Sequence, residues 1–278
     1  MTAYNEENYI NEAIDSILNQ SFSNFELIIV NDASTDRTRE IIESYNDPRI
    51  KIINNSINLG TAASANKGLK VASGEYIARA DADDIYHPDR FARQVEIFEK
   101  KPEINMCGSW IELLYQDGRK AIIQYRKEDE YFKSFILFGP HIAHATLMIK
   151  RSVIEKQKIF YNENYLLAED YEWYLRLFEH VKVYNIQEVL MTYRIHKNGL
   201  TQKRKELFEA AGNVRRKMLA KLNVEYSEKE FYIHQVLSGY KMTEYITVEE
   251  VLLWLDKLKR QNELMKIFQE PYFSELLA

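Results

Sequence analysis

Apolar residues in the first 100 positions follow two alternating spacings. Short, nearly continuous apolar runs at residues 25–31 and 50–53 are typical of strands in a parallel sheet. Between such runs, at residues 9–18 and 61–71, apolar residues recur at helical spacing, and Asn5 is the predicted N-cap of the first helix. The resulting order βαβαβαβα predicts an α/β fold with a Rossmann-like, mostly parallel central sheet and flanking helices.

Polar clusters follow the predicted strands, at residues 4–6, 32–36, 58–60 and 81–84. In sheets of this kind, ligands bind at the carboxyl ends of the strands, which meet at one edge. Four polar clusters at one edge therefore predict a ligand site there.

The last of these clusters contains three carboxylates, Asp81, Asp83 and Asp84. Carboxylates so close together repel one another, and Mg²⁺ or Mn²⁺ offsets such repulsion by taking oxygen ligands. Residues two apart on a strand point to the same side, so Asp81 and Asp83 are the candidate metal ligands. The alternative is a solvated acidic turn in which Asp84 or Asp89 caps the following helix.

After residue 100 the pattern becomes a mixture of strands and helices. Gln116-Asp117-Gly118 lies between two β-rich runs and predicts a hairpin. Further predicted elements are a helix at 128–138, a strand at 144–149, a helix that begins near Asp170, and strands at 181–184 and 189–194. From residue 201 the chain is helical and charged, which predicts a domain at residues 1–200 and a helical C-terminal extension at 201–278.

Composition narrows the class of protein. The chain has 278 residues, of which 46% are hydrophobic, and its net charge of −5 argues against general nucleic-acid binding. Cys107 is the only cysteine, which excludes an intramolecular disulfide and indicates a reducing compartment. Because no apolar run approaches the length of a membrane span, we expect a cytoplasmic protein.

The predicted C-terminal extension leaves three roles open. It could form a small helical subdomain, a surface for a partner, or a helix that lies peripherally on the inner face of a membrane. The last role rests on basic residues of an amphipathic pattern, and the plainer interpretation of those residues is a solvated face. They are Lys203, Arg204, Lys205, Arg215, Arg216 and Lys217.

Several segments of residues 1–200 resemble family 2 glycosyltransferases with a GT-A fold. They are TAYNE at 2–6, ELIIVNDASTD at 26–36, NLGTAASANKG at 58–68, GEYIARADADD at 74–84, AEDYEWYLR at 168–176 and YRIHKN at 193–198. Each segment alone is a weak signal, but their order and spacing together are specific.

The resemblance implies roles for the donor side of the predicted site. Thr2, Ala3 and Tyr4 would line the pocket of the nucleotide base, with Glu6 nearby. Asp32 would hydrogen-bond the base, usually uracil. Asp81 would lie close to the ribose. Asp83 would bind the metal that bridges the diphosphate. His196, together with Arg194, would lie near that diphosphate.

The resemblance also implies the base. Asp170 would remove the proton from the acceptor hydroxyl, which is a poor nucleophile without a positioned base. Adjacent residues on a helix point about 100° apart, so only one of Glu169 and Asp170 can face the cleft. Glu169 would then be structural or contact the acceptor. From the residues alone, the pair could equally be a simple acidic first turn of a helix.

The implied protein is a metal-dependent, inverting glycosyltransferase. It would move a sugar, as in a UDP-hexose, to a hydroxyl of a glycan or glycolipid acceptor in the synthesis of a bacterial surface polysaccharide. Two alternatives remain: an inactive GT-A scaffold that acts as an interaction protein, and a nucleotidyltransferase. The latter would usually carry a glycine-rich, basic phosphate loop after its first strand, which TAYNEENY does not resemble.

The first predicted strand is short. Members of the resembled family usually have several more apolar residues before the segment that corresponds to TAYNE. We therefore expect a weakened nucleotide pocket and lower stability if half of this strand is missing.

Overall fold

The computed structural model describes residues 1–197 and 204–278. Its first three strands form a parallel sheet in the order β1–β2–β3. They are β1 (Thr2–Ala3), β2 (Leu27–Asn31) and β3 (Ile50–Asn54). The helices that connect and follow them are α1 (Ile10–Leu18), α2 (Thr38–Ser44) and α3 (Thr61–Val71).

A second sheet of six strands has mixed pairing. Its order is β4–β8–β6–β9–β5, with β7 paired to the outer part of β6. The strands are β4 (Tyr76–Ala78), β5 (Ile85–Tyr86), β6 (Met106–Tyr115), β7 (Lys120–Ile123), β8 (Met148–Lys150) and β9 (Val183–Ile195). Only β6 and β9 run parallel among these pairs.

Eight further helices surround the second sheet and extend beyond it. They are α4 (Arg90–Lys100), α5 (Asp129–Phe135), α6 (Arg151–Gln157), α7 (Glu169–Leu177), α8 (Arg204–Lys221), α9 (Glu228–Leu237), α10 (Val248–Met265) and α11 (Tyr272–Leu277). Within the described residues, no helix combines the length and apolarity that crossing a membrane requires.

The predicted α/β fold class is confirmed, with one difference in pairing. β4 does not extend the parallel sheet along its length; it pairs antiparallel with β8. An isolated parallel bridge between Thr2 and Asp81 joins the two sheets. Strand pairing depends on partners distant in sequence, so the local pattern around β4 predicted a strand but not its neighbour.

Three local predictions differ from the structure. Asn5 is not a helix cap: its φ is 57° and its Oδ1 accepts a hydrogen bond from Thr35 N, while α1 begins at Ile10. Residues 144–149 are not one strand, because a 3₁₀ turn at His144–Thr146 precedes β8. The two strands predicted at 181–194 are one strand, β9, whose register with β6 shifts at two irregularities beside Trp110.

The C-terminal helices share one apolar core with α5 and α7. Trp173 and Tyr174 of α7 belong to the same buried cluster as Leu219, Trp254 and Phe273. The predicted domain boundary at residues 200 and 201 lies outside the described residues, as does Asn198 of the YRIHKN segment, and the boundary stays a prediction.

The predicted solvated basic face is wrong at one residue. Arg215 is buried, and its Nε donates to the carbonyl of Phe138. The neighbouring Arg216 lies over the ring of Phe231, with 3.7 Å between its Cζ and the ring centroid.

A cavity of about 540 Å³ lies between β2 and β4, beside Met1. Leu27, Val30, Ile77 and Phe91 contribute to its lining. The Met1 ammonium donates to the Ile28 carbonyl at 2.9 Å, and burial lowers its pKa to about 5.

Arg90 connects α4 to the second sheet. Its side chain is fully buried, and Nη2 donates to the carbonyls of Arg79 and Leu147 at 2.8 and 3.2 Å. Its Nε donates to Gln94 Oε1, and its guanidinium lies over the ring of Tyr86. This single side chain thus fixes the backbone at the ends of β4 and of the turn before β8.

We expect Arg90→Met to lower the free energy of unfolding by about 2–4 kcal/mol, because two carbonyls lose a buried donor. Arg93→Met is the matched control on the same helix. Arg93 makes exposed ion pairs with Glu96 and Glu188, so its loss should cost less than about 1 kcal/mol. Urea unfolding measures both, and equal losses would contradict the role given to Arg90.

Candidate active site

The candidate site lies where the carboxyl ends of β1 and β2 approach the loop after β4. The N-terminus of α7 and the end of β9 complete it. Its side chains fall into three groups: a turn held by Asp32, an acidic group with His196, and the adjacent carboxylates of α7.

Asp32 fixes the turn before α3. Its side chain is buried, and Oδ1 accepts from Asn55 Nδ2 at 2.7 Å and from Leu59 N at 2.9 Å. Its Oδ2 accepts from Gly60 N at 2.8 Å, where the φ of 85° favours glycine. Its backbone N–H donates to the carbonyl of Ala3, which ties the turn to β1. The predicted contact of Asp32 with a base stays a prediction.

The loop after β1 folds back on the start of α2. Tyr4 is exposed and Ala3 is buried. Asn5 adopts the left-handed conformation, and Glu6 N donates to Thr38 Oγ1 at 2.7 Å. The loop therefore directs the Glu6 carboxylate towards the acidic residues that follow β4.

Asp81 is ion-paired with Arg79, at 2.5 Å between Oδ1 and Nη2. The same Nη2 donates to Thr2 Oγ1 at 3.2 Å, and Asp81 N donates to the hydroxyl of Tyr86. The guanidinium of Arg79 thus connects Asp81 to β1.

Asp84 is fully buried rather than a helix cap. Its Oδ1 accepts from Arg194 N at 3.0 Å, and its Oδ2 has no hydrogen-bond partner among the described residues. Burial, followed by the charge of Asp83, raises its pKa well above the usual range. Asp89 does occupy the N-cap position of α4, but its side chain makes no capping bond with any described residue. The solvated-turn alternative therefore does not describe Asp84.

Glu6, Asp83 and His196 form a group that fits a divalent cation. One ligand atom of each lies within 4.8 Å of the others. His196 Nε2 lies 2.9 Å from Asp83 Oδ2, and its imidazole is buried against the ring of Tyr9. Two carboxylates and an imidazole are ligands that Mn²⁺ accepts.

The negative charges of this group lie close together, and this closeness shifts the pKa values of its members. Burial, and next the charge of Asp83, raise the pKa of Glu6 from 4.5 to about 7. The hydrogen bond to Asp83 raises the pKa of His196. A bound cation would relieve both effects. Of the two predicted metal ligands, the structure brings Asp83 into this group, whereas Asp81 lies with Arg79.

Glu169 and Asp170 begin α7 after Ala168, which has a φ of 57°. Asp170 Oδ1 accepts from Tyr171 N at 2.7 Å. Burial, and next the charge of Asp170, raise the pKa of Glu169 to about 7; burial likewise raises the pKa of Asp170. Both carboxyls are therefore better proton acceptors than an exposed carboxylate.

Arg194 is committed to other partners. Its guanidinium pairs with Glu12 and lies 5.2 Å from the centroid of the Tyr9 ring. The predicted contact between Arg194 and a diphosphate would require this side chain to change partners.

The sequence did not predict that Glu6 belongs to the acidic group. Glu6 lies 77 positions before Asp83, and only the tertiary fold brings them together. The available signal was the polar TAYNE segment at the end of the first strand, which indicated proximity to the site but not a ligand.

Comparison with known proteins identifies the class. The family model "Glycosyl transferase family 2" matches residues 1–157. An uncharacterised glycosyltransferase of Haemophilus influenzae is 31% identical over 98% of this chain and 84% of its own length. TuaG of Bacillus subtilis, whose name refers to teichuronic acid biosynthesis, is 30% identical over 72% of this chain and 79% of its own length. The chain belongs to glycosyltransferase family 2.

Solved structures confirm the predicted GT-A fold. Residues 1–349 of Staphylococcus aureus TarS in complex with UDP-GlcNAc align with a TM-score of 0.67 at 19% identity, over 96% of this chain and 81% of that one. The mannosyltransferase PcManGT of Pyrobaculum calidifontis, in complex with GDP-Man and Mn²⁺, aligns with a TM-score of 0.61 at 17% identity. That alignment covers all of this chain and 76% of the other.

We expect Glu6→Gln to stabilise the metal-free protein at pH 8 but not at pH 4. A carboxyl whose pKa rises from 4.5 to about 7 on folding binds more protons in the folded state, so stability falls as pH rises between these values. The expected gain at pH 8 is about 1–3 kcal/mol in the free energy of unfolding. Thermal unfolding at both pH values measures it.

Glu7→Gln is the control, because Glu7 is the exposed neighbour of Glu6 and lies outside the acidic group. A stabilisation by Glu6→Gln that is equal at the two pH values would contradict the burial argument.

Proposed function

We propose that this protein transfers a hexose from a UDP-sugar to an acceptor hydroxyl with inversion of the anomeric centre. The observation that carries the proposal is the group of Glu6, Asp83 and His196, which fits a divalent cation because one ligand atom of each lies within 4.8 Å of the others. The adjacent carboxyls of Glu169 and Asp170 at the start of α7 would supply a proton acceptor, and burial raises the pKa of both. The charge of Asp81 adds to burial in raising the pKa of Glu6, Glu169 and Asp170, so Asp81 lies near both groups.

On the donor side, Asp83 and His196 would hold Mn²⁺ or Mg²⁺, with Glu6 as a further ligand and Asp81 beside the ribose. A divalent cation bound there supplies a Lewis acid for the charge that grows on the departing diphosphate. Thr2, Ala3, Tyr4 and Asp32 would form the base pocket at the ends of β1 and β2. The Mn²⁺ bound by PcManGT supports the metal, and the UDP-GlcNAc bound by TarS supports the choice of a uridine nucleotide.

On the acceptor side, Asp170 would take the proton of the attacking hydroxyl. A single displacement needs one positioned base and no covalent intermediate. Glu169 would keep a second negative charge nearby, and that charge helps to raise the proton affinity of the pair.

The acceptor would be a glycan or glycolipid of a surface polysaccharide. The name of TuaG supports this class of acceptor. The cytoplasmic location and a peripheral membrane contact through the C-terminal helices stay predictions. Family membership favours sugar transfer over nucleotidyl transfer, and a catalytically inactive scaffold is tested below.

Calorimetric titration of UDP is expected to give micromolar affinity in the presence of Mn²⁺ and a large loss without it. Asp83→Ala should cause the same loss, because the diphosphate would have no bridging cation. Asp89→Ala is the control, since it removes a nearby carboxylate outside the acidic group. Affinity that is independent of both Mn²⁺ and Asp83 would contradict the proposed metal site.

Asp170→Asn is expected to reduce the hydrolysis of UDP-GlcNAc and UDP-glucose by at least about 100-fold while UDP affinity is kept, because only the base is lost. Glu169→Gln is the matched control at the next position and should retain more turnover. Release of UDP measures both variants. Equal turnover of Asp170→Asn and the unmodified protein would refute the base assignment, and an unmodified protein that binds UDP without turnover would support the inactive scaffold.

A further inference from the structure

His144 lies between two tyrosine hydroxyls, one of them on α7, the helix that begins with Glu169 and Asp170. Its Nδ1 is 2.7 Å from the hydroxyl of Tyr174, and its Nε2 is 2.9 Å from the hydroxyl of Tyr161. The carbonyl of His144 accepts from Leu147 N, and the carbonyl of Leu147 accepts from Arg79 N. The histidine is thus attached, through backbone bonds, to the strand end that carries Arg79 and Asp81.

Both tyrosines are held rigidly. The backbone of Tyr161 makes two hydrogen bonds with the side chain of Asn66, at 2.8 and 3.0 Å, and its ring stacks on Trp173 at 4.6 Å between centroids. Tyr174 is fully buried and lies one helical turn after Asp170 on α7, on the same face. Two fixed hydroxyls leave the imidazole between them little freedom.

A neutral imidazole has one N–H and one acceptor nitrogen. Burial, and next the charge of Arg79, lower the pKa of His144 to about 3, so the ring is neutral near pH 7. It therefore accepts from one tyrosine and donates to the other. The tyrosine that accepts has its own hydroxyl hydrogen free for another group.

The charge of Asp170 selects the direction of this chain. Burial, and next the charge of Asp170, raise the pKa of Tyr174. The pKa of Tyr161 is raised chiefly by burial, and the charge of Arg79 opposes that rise. Tyr174 lies four residues after Asp170 on the same face of α7, and a carboxylate attracts a hydroxyl hydrogen on its own face of the helix. In the arrangement that fits this attraction, the Tyr161 hydroxyl donates to Nε2 of His144, and Nδ1–H of His144 donates to the Tyr174 hydroxyl. The hydroxyl hydrogen of Tyr174 then points towards Asp170.

We propose that His144 is a positioning residue: held as the Nδ1–H tautomer between Tyr161 and Tyr174, it orients the Tyr174 hydroxyl towards the base Asp170. This inference rests on the proposed function. The oriented hydroxyl stabilises the ionised carboxylate, which is the form that accepts a proton. The other groups that act on Asp170 are Glu169 on α7, Asp81 and Arg79 on the loop after β4, and Tyr125 on the loop after β7.

The test compares His144→Phe and Tyr174→Phe with Tyr171→Phe. The Tyr171 hydroxyl is also buried on α7, but it donates to the carbonyl of Ile136, outside this chain of hydrogen bonds. The readouts are the pH dependence of UDP-glucose hydrolysis with Mn²⁺ and the ¹⁵N chemical shifts of the histidine ring in the unmodified protein.

Both test variants are expected to move the acidic limb of the rate profile to higher pH, by up to about one unit. At pH values below the acidic limb, a shift of that size lowers the rate by up to about tenfold. Tyr171→Phe should leave the limb in place. The ¹⁵N shifts should report a proton on Nδ1 of His144. A residue that only supports the fold would change the thermal midpoint without moving the limb.

Three outcomes decide the inference. If the limbs of Tyr174→Phe and Tyr171→Phe coincide, or if the proton lies on Nε2, the inference is wrong, and the proposed function stands provided that Asp170→Asn is inactive. If Asp170→Asn keeps its turnover, the base assignment and this inference both fail. Because Tyr174→Phe removes only one oxygen, the test holds even if His144→Phe does not fold.

Discussion

The ion pair between Arg79 and Asp81 lies at the junction of the two sheets. Among the described residues, the bridge between Thr2 and Asp81 is the only strand pairing that joins the parallel sheet to the mixed sheet, and the Arg79 guanidinium binds both of these residues. The same cation is buried among the acidic groups of the cleft, and its charge partly offsets the burial that raises the pKa of Glu169 and of Asp170. One side chain therefore serves the junction of the sheets and the charge balance of the site.

The single positive charge of Arg79 does not neutralise all the carboxyls of the cleft. Glu6, Asp84 and Glu169 all have raised pKa values, because burial and neighbouring negative charges disfavour ionisation. A folded protein tolerates such a concentration of acid by keeping part of it protonated or by binding cations. Ionising these carboxyls lowers the stability of the fold, and a ligand or cation of positive charge would reduce that cost, as is common at functional sites.

The sequence predicted what depends on local periodicity. The range 61–71 for α3 agrees with the structure, because the helical spacing and the glycine before it are local signals. The acidic cluster and the start of α7 were also located by sequence. The partner of β4, the burial of Asp84 and the inclusion of Glu6 with Asp83 were not predicted, because each depends on contacts between distant segments. His144 carried no local signal that separated a positioning role from a core one.

The register of β9 against β6 determines which way His196 points. Ser109 pairs with Ile186 and Glu112 pairs with Thr192, so β9 spans six residue steps where β6 spans three. Side chains alternate between the two faces of a strand, so an odd excess of residues reverses the face of everything that follows. The irregularity beside Trp110 therefore sets which face of the sheet each residue in the last part of β9 presents. His196 follows directly after that part of the strand and contacts Asp83. Insertion or deletion of a single residue at this irregularity would therefore change the orientation of side chains at the cleft as well as the strand around Trp110.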